Sequence, residues 1–305
     1  MASKIFSFRD HALVHLETAG DGVGLVVISQ GGYADGLAWM EAARAAEFRY
    51  AIIAQAAAEV WWPDDGMAER LAVCYEDASA AFFVSEGNLA LIRRQLGSLL
   101  RRGRIVRNPF NVRYDARLEW PADSPKELRL ACVGRLDPKA KGQDLLLDVP
   151  ARPHWRERRV AVSLVGTGVN ERGLRRMISS LRLSNVQLTG FVNDIEDLWS
   201  KHHALVLPSR YEGMPLALVE AMLCGRTCVV TDVAGHRELV RDGINGFLAK
   251  APTVELLDES MKRLWEARWG LKQMGETAAE DVRRWVSSDP VEDLVRELTT
   301  LLGSM

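Results

Sequence analysis

The run SRYEGMPLALVEAM, Ser209 to Met222, follows the short apolar stretch Ala204–Leu207, and together the two decide the fold. Four consecutive apolar residues closed by Pro208 read as a strand covered on both faces, because such a strand shows no alternation. Pro215 suits the first turn of a helix, where its missing N–H costs nothing, and Gly225 suits the stop. Strand, polar loop and apolar helix make one βα step, and Thr227–Val230 supplies the next strand. The same alternation runs outward on both sides. Leu128–Val133, Val160–Val165 and Val186–Leu188 read as earlier strands and Gly246–Leu248 as a later one, with helical stretches between them. That pattern implies a doubly wound parallel sheet.

Nearer the start, Gly24–Ile28, Tyr50–Ala54 and Ala80–Val84 read as strands, and Gly36–Ala46, Gly66–Glu76 and Asn88–Leu100 as helices. This is a second, smaller α/β unit, and residues 1 to 22 show no clear period. Residues 115–127, with Pro121, Asp123, Ser124 and Pro125, read as a linker. From Thr253 on, the chain reads as helix, with a break near Val286 to Pro290 and a last amphipathic stretch from Val291 to Leu302.

Two domains fit a chain of 305 residues. Lys+Arg at 39 against Asp+Glu at 41 leaves a formal net charge of -2, so no whole-chain basic field draws in nucleic acid, and phosphate recognition must be local. The cysteines Cys74, Cys132, Cys224 and Cys228 form no C-x-x-C pair, which suggests neither a zinc framework nor a disulfide scaffold and fits a cytoplasmic setting. No apolar run approaches the roughly 18 residues of a membrane span.

Ligands of such sheets bind beyond the carboxyl ends of the strands, so the loops there hold the candidate chemistry. In Val133–Asp144 the sequence is VGRLDPKAKGQD. Arg135 leaves the strand end and Lys141 precedes a helix, a planar fork and a point charge suited to a diphosphate. A solvated loop is the alternative, and Lys139 is of that type. In the decisive run, Glu212 lies in the loop and Glu220 inside an apolar helix, where an unpaired carboxylate is costly. A ligand hydroxyl or a structural arginine would serve as its partner.

Taken together these segments resemble retaining glycosyltransferases of the GT-B fold, most closely the large family 4 group. The resemblance rests on G-R-L-x4-K-G from Gly134 to Gly142, the turn Gly166-Thr167-Gly168, Gly190-Phe191-Val192, E-x7-E at Glu212 and Glu220, and VVTDVAG from Val229 to Gly235. Glu238-Leu239-Val240 and DGINGFL from Asp242 to Leu248 extend it, so that it covers residues 128 to 250 in order. It implies two Rossmann-like domains: 1–120 on the acceptor side, 121–288 holding a nucleotide diphosphate sugar, and 289–305 as a helix crossing back to the first. By resemblance, Arg135 and Lys141 hold the diphosphate, Glu212 bonds donor-sugar hydroxyls, and Glu220 accepts from the ribose. Gly134, Gly166 and Gly168 allow close backbone approach, Gly213, Met214, Pro215 and Leu216 form the turn that meets sugar and phosphate, and Phe191 and Val192 wall the base. No D-x-D occurs, so the expected reaction is metal-independent and needs no cofactor beyond the donor substrate.

On the acceptor side the sequence departs from the family. Members carry a Gly-rich loop and another strand–helix pair or two before the segment that aligns with Leu25 to Gln30, so the first domain reads as shortened. Gln55 stands where members often have a histidine. Trp61-Trp62-Pro63-Asp64-Asp65 offers aromatic faces on which a sugar could stack, or a packed pair with a turn. Arg93, Arg94, Arg101, Arg102, Arg104 and Arg107 form either a basic patch for anionic lipid heads, which would suit peripheral contact and a lipid-linked acceptor, or a solvated helix face. His202 and His203, being adjacent, point apart, and His236 has no assigned role. The expected activity is sugar transfer from a nucleotide diphosphate sugar to a carbohydrate or lipid-linked acceptor in polysaccharide or glycolipid synthesis. The rivals are a non-catalytic nucleotide-sugar-binding or partner-binding module and an enzyme of different chemistry, such as a phosphorylase or epimerase.

Overall fold

A computed structural model describes residues 24–121 and 127–303; the unassigned residues 1 to 22 lie outside them. The chain forms two compact units, one running up to Asn108 and resuming at Asp289, the other Pro109–Ser288.

In the first unit, strands β1 (Val26–Gly32), β2 (Tyr50–Ala56), β3 (Ala80–Phe83) and β4 (Gly103–Ile105) lie side by side in that order, all parallel. The helices Leu37–Ala45, Asp65–Asp77 and Glu86–Leu96 connect them. Asp64 and Ser85 start the second and third by accepting from the N–H of Met67 (2.9 Å) and Asn88 (3.2 Å). The third helix was expected to reach Leu100. Gly97, at φ +58°, ends it four residues sooner, and the freed chain forms the short edge strand β4. One sheet face packs Ile52 and Phe83 against Met40, Leu71 and Ile92. The other buries Ala51, Ile53 and Phe82 with Leu301 of the last helix, Pro290–Gly303.

The second unit is a six-stranded parallel sheet built from β5 (Leu128–Val133), β6 (Val160–Val165), β7 (Val186–Gly190), β8 (Ala204–Leu207), β9 (Thr227–Thr231) and β10 (Phe247–Ala249), in the order β10-β9-β8-β5-β6-β7. The chain leaves β5 in one direction through β6 and β7, then returns to β8 and moves out the other way. Strand order therefore reverses between β5 and β8, and the carboxyl ends of those two strands flank a crevice. Val133, Val165, Leu207 and Val230 end their strands where periodicity put them or within a residue of it.

Residues 109–121 are not a free linker. Tyr114 OH donates to Arg283 O (2.7 Å), and the Arg283 guanidinium returns bonds to Tyr114 O and Ala116 O, both 2.9 Å. Arg226, almost fully buried, donates to Glu119 O (2.7 Å) and Trp199 O (2.8 Å) and lies 5.2 Å from the Trp120 ring centre. These bonds tie residues 114–120 to the second compact unit, which begins at Pro109. The helix read from Thr253 onward is also interrupted once more, between Glu266 and Leu271, ahead of the expected break.

Candidate functional site

The two loops flanking the β5/β8 crevice are built so that their backbones touch. Gly142 closes the short helix Pro138–Lys141 at φ +65°, and any side chain there would run into the carbonyl of Pro208, the residue that closes β8. The Arg210 guanidinium holds this helix together with the one that follows it, Gln143–Asp148. It pairs bidentately with Asp144 at 2.7 Å on both oxygens and donates to Pro138 O (2.7 Å), while Arg210 N–H donates to Ala140 O (2.8 Å). Such a fork fixes orientation as well as distance.

The result is that Lys141, from the β5 loop, reaches Glu212, from the β8 loop, with Nζ to Oε1 at 2.5 Å. Ser209 Oγ donates to the same oxygen at 2.7 Å. Oε1 is thereby satisfied, and Oε2 takes no part in either bond. Lys141 likewise has two ammonium protons beyond the one given to Glu212. Behind the pair, Thr231 Oγ1 donates to Ser209 O (2.5 Å), and His236 Nδ1 donates to Thr231 O (2.6 Å). His236 is fully buried, which pushes its pKa down, while the Glu212 carboxylate pulls it up.

Arg135 extends from the end of β5 as an exposed side chain, its own carbonyl held by Gln143 Nε2 at 2.7 Å. Glycines let the neighbouring turns close on this strand end. A Cβ at Gly166 would collide with Gly134 O, and one at Gly168 with the backbone of Leu136. Leu136 N–H donates to Thr167 O (2.9 Å) and Gly134 N–H to Val165 O (2.9 Å), so the G-x-G turn and the Arg135 loop form one continuous backbone surface. Phe191, 71% exposed, and half-buried Val192 follow the end of β7.

Gly213, Met214 and Pro215 are buried and lead into the helix Leu216–Leu223, with Pro215 in the capping position rather than inside the first turn. Gly235 N–H donates to Gly213 O at 3.3 Å. Glu220 is 4% exposed, and burial raises its pKa, opposed by its bonds to Asn111. Asn111 N–H and Nδ2 both donate to Glu220 Oε1 at 2.9 Å. Its protein partner is thus an asparagine of the connecting strap, where the sequence had suggested an arginine or a ligand. Asn111, Ser209 and Arg210 escaped assignment because their partners lie across loops with no fixed spacing. The S-x-x-E spacing of Ser209 and Glu212 was the one local sign.

The remaining singled-out residues fall elsewhere. Arg93, Arg102 and Arg107 donate to Leu99 O (2.7 Å), Ala78 O (2.9 Å) and Val84 O (2.9 Å), and Arg104 pairs with Glu297; all of the cluster except half-buried Arg107 is exposed. His202 and His203 do point apart, to Leu198 O with Ser163 Oγ and to Arg129 N–H respectively. All four cysteines are buried and unpaired. Among the described residues no helix is long and apolar enough to cross a membrane, and no group of three or more His, Cys, Asp or Glu side chains is placed to hold a metal ion.

Residues 127–267 match the family model of Glycosyl transferases group 1. An exopolysaccharide phosphotransferase of Streptomyces coelicolor is 33% identical over 159 residues, 51% of this chain and 16% of that protein. An uncharacterized glycosyltransferase of Methanocaldococcus jannaschii is 30% identical over 48% of this chain and 41% of its own length. The matches thus span less than half of either relative. Among solved structures, an S. aureus TarM mutant in complex with fondaparinux, α-GlcNAc-glycerol and UDP superposes with a TM-score of 0.78 at 18% identity, over 96% of this chain and 58% of that one. Anabaena HepE in complex with UDP gives 0.76 at 20% identity, over 96% and 82%. Residues 127–267 are therefore homologous to group 1 glycosyltransferases, and the chain as a whole has the GT-B fold.

Proposed function

We propose that this chain is a retaining, metal-independent glycosyltransferase of the family 4 type that moves a sugar from a nucleotide diphosphate sugar to a carbohydrate or lipid-linked acceptor. The observation that carries the reading is the meeting of Lys141 and Glu212 across the β5/β8 crevice, at 2.5 Å, from loops 71 positions apart. A cation and a carboxylate held together at a strand-order reversal suit a ligand with a phosphate at one end and hydroxyls at the other.

The roles follow from which atoms are left over. Lys141, fixed by Glu212, turns its two remaining protons to the diphosphate, and Arg135, exposed at the end of β5, adds a bidentate fork. Their charge counts most as the nucleotide departs, because that is where negative charge grows. Glu212 offers Oε2 to a donor-sugar hydroxyl, and Glu220 accepts from the ribose. The acceptor hydroxyl enters on the face the nucleotide leaves, with no protein nucleophile. Relatives point to the donor: an Escherichia coli protein 35% identical over 77 residues, covering 25% of this chain and 20% of its own, is named UDP-Gal:α-D-GlcNAc-diphosphoundecaprenol α-1,3-galactosyltransferase. UDP is accordingly the first nucleotide to test.

A thermal-shift series with UDP, GDP and ADP, each with excess chelator, tests the reading. A ligand at 100 times its dissociation constant stabilises by about 2.7 kcal/mol, so one nucleotide is expected to raise Tm well above the others. The sugar released from the matching donor should keep its anomeric configuration by NMR. No response to any nucleotide diphosphate would overturn the proposal, and a strict need for manganese or magnesium would remove its metal-free part.

A further inference from the structure

At the carboxyl end of β1, within the first unit, the loops 32–36 and 57–64 enclose a recess of about 460 Å³ lined by Gly32, Tyr33, Asp35, Trp61, Trp62 and Met67, among others. Its floor is locked by hydrogen bonds. Gln30, on β1 and buried, donates from Nε2 to Tyr75 OH (2.8 Å) and Tyr33 O (3.0 Å) and accepts at Oε1 from Gly36 N–H (2.6 Å). Tyr75 OH donates to Tyr33 O (2.7 Å), and Tyr33 OH donates to Trp61 O (2.5 Å), which ties the two loops to each other. Asp35 Oδ2 accepts from Gly32 N–H at 2.7 Å.

The absent side chain of Gly32 shapes the recess. A Cβ there would lie 3.3 Å from both Asp35 oxygens and 3.3 Å from the Trp61 ring. A carboxylate and an indole ring thus converge on the same bare stretch of backbone. Trp62 stands at the rim 60% exposed, and Met67 beside it is 37% exposed. Burying an indole contributes more than burying almost any other side chain, so leaving Trp62 open forgoes stability that the fold has no need to give up. Exposed aromatic surface beside polar groups is the signature of a ligand recess.

We propose that this recess binds a neutral hexopyranose, stacked by its C–H face on the tryptophans and hydrogen-bonded through a hydroxyl to Asp35. Under the transfer proposed above, that sugar is a unit of the acceptor glycan, although its binding needs no nucleotide. The chemistry selects this occupant over an anionic membrane or phosphate. No cation lines the recess, and Glu59 and Asp64 are exposed on the same loop with exposed Asp65 opening the helix after it, so the local charge repels anions. A carboxylate accepts from hydroxyls and from no lipid tail.

The test follows the indole N–H signals of Trp61 and Trp62 by NMR while methyl α-glucopyranoside, methyl β-galactopyranoside and maltotriose are each added to about 50 mM, the range in which a millimolar site saturates. At least one probe should shift both signals saturably, and Trp62→Ala and Asp35→Asn should each weaken that probe's affinity by about tenfold or more. No shift with any probe, or shifts undiminished in both variants, would overturn the proposal. Binding to phosphatidylglycerol vesicles that is lost in Trp62→Ala would overturn it in favour of a membrane contact. The UDP response of the same wild-type sample is measured in parallel. Sugar shifts without a UDP response count against the transferase reading alone, and the converse counts against the recess alone.

Discussion

Lys141 and Arg135 would both contact the diphosphate, yet they differ in what holds them. Lys141 neutralises Glu212, whose side chain is 8% exposed, whereas Arg135 is exposed and its removal orphans no buried charge. Truncating either to Ala is expected to lower nucleotide affinity by about 2 to 5 kcal/mol, with Lys139→Ala costing little. Lys141→Ala alone should also lower the stability of the second unit, because it leaves a buried carboxylate unpaired. Calorimetry and urea unfolding on the three variants separate these effects, and equal losses of affinity in all three would remove the assignment. The two acids should also part company. Glu220→Gln keeps an oxygen for Asn111 and should weaken binding of UDP itself, while Glu212→Gln should chiefly lower the affinity for the sugar donor relative to UDP. Burial raises the Glu220 pKa, so its carboxylate is lost on acidification earlier than an ordinary glutamate's. UDP affinity should therefore fall as pH drops through a value above the ordinary glutamate pKa of about 4.3, and that step should vanish in Glu220→Gln. A pH profile of binding that is identical in the variant and the parent would count against a ribose contact.

At the scale of elements, glycines with nearly the same backbone angles carry different loads. Gly97 at φ +58° has nothing within 4 Å of a would-be Cβ, whereas Gly142 at φ +65° faces the Pro208 carbonyl. Gly97→Ala should cost only the left-handed penalty, about 1 to 2 kcal/mol. Gly142→Ala should cost more, and by pushing the helix Pro138–Lys141 off β8 it should abolish UDP binding even where the fold survives. Equal unfolding midpoints for the two variants would show that the loops adjust and that the close approach is not what positions Lys141. The contrast also marks how far a sequence can be read. Buried strands such as Leu128–Val133, Val160–Val165 and Ala204–Leu207 announce themselves because both faces are covered and nearly every residue is apolar. The E-x7-E spacing is equally visible because one loop and one helix carry it. The edge strand β4 is hidden by Arg102 and Arg104, which solvent tolerates at a sheet edge, and the helix ending at Leu96 is obscured by the apolar Leu99 and Leu100 beyond its glycine. The bonds from Asn111 to Glu220 and from Arg210 to Asp144 join residues 109 and 66 positions apart, and no local period encodes such pairs.

At the scale of the whole molecule, acid should act on the two units unequally. The described part of the first unit contains no histidine, while the second holds His202, His203 and His236, all buried and all with pKa values pushed down by that burial. For His203 the hydrogen bonding itself requires the neutral form, and for His202 and His236 burial is what favours it. His203 Nδ1 accepts from the Arg129 N–H (2.9 Å), and the His202 ring donates to Leu198 O (2.8 Å) while its other nitrogen lies 3.0 Å from Ser163 Oγ. The charges around them, Arg129 and Arg226 beside both and Lys201 beside His202, further disfavour protonation; near His236, Lys141 opposes it and Glu212 favours it. A basic group whose pKa is lower in the fold than in the unfolded chain is charged first in the unfolded chain. Its contribution is intact above about 6.5 and is lost as pH falls below that value, at up to about 1.4 kcal/mol per pH unit for each proton. For His203, held down to about 4, the loss runs across the whole window from about 6.5 to about 4. Glu220 acts in the opposite sense, since its raised pKa relieves a penalty on acidification. Hydrogen exchange followed by segment should show residues 128–250 losing protection from pH 7 to pH 5, after correction for the intrinsic rate, while residues 50–105 hold theirs. His203→Asn keeps an acceptor for the Arg129 N–H but removes the titration. It should flatten the slope of unfolding free energy against pH for the second unit, whatever it does to the absolute value, and a slope as steep as the parent's would show that the burial of this imidazole does not set the acid limit.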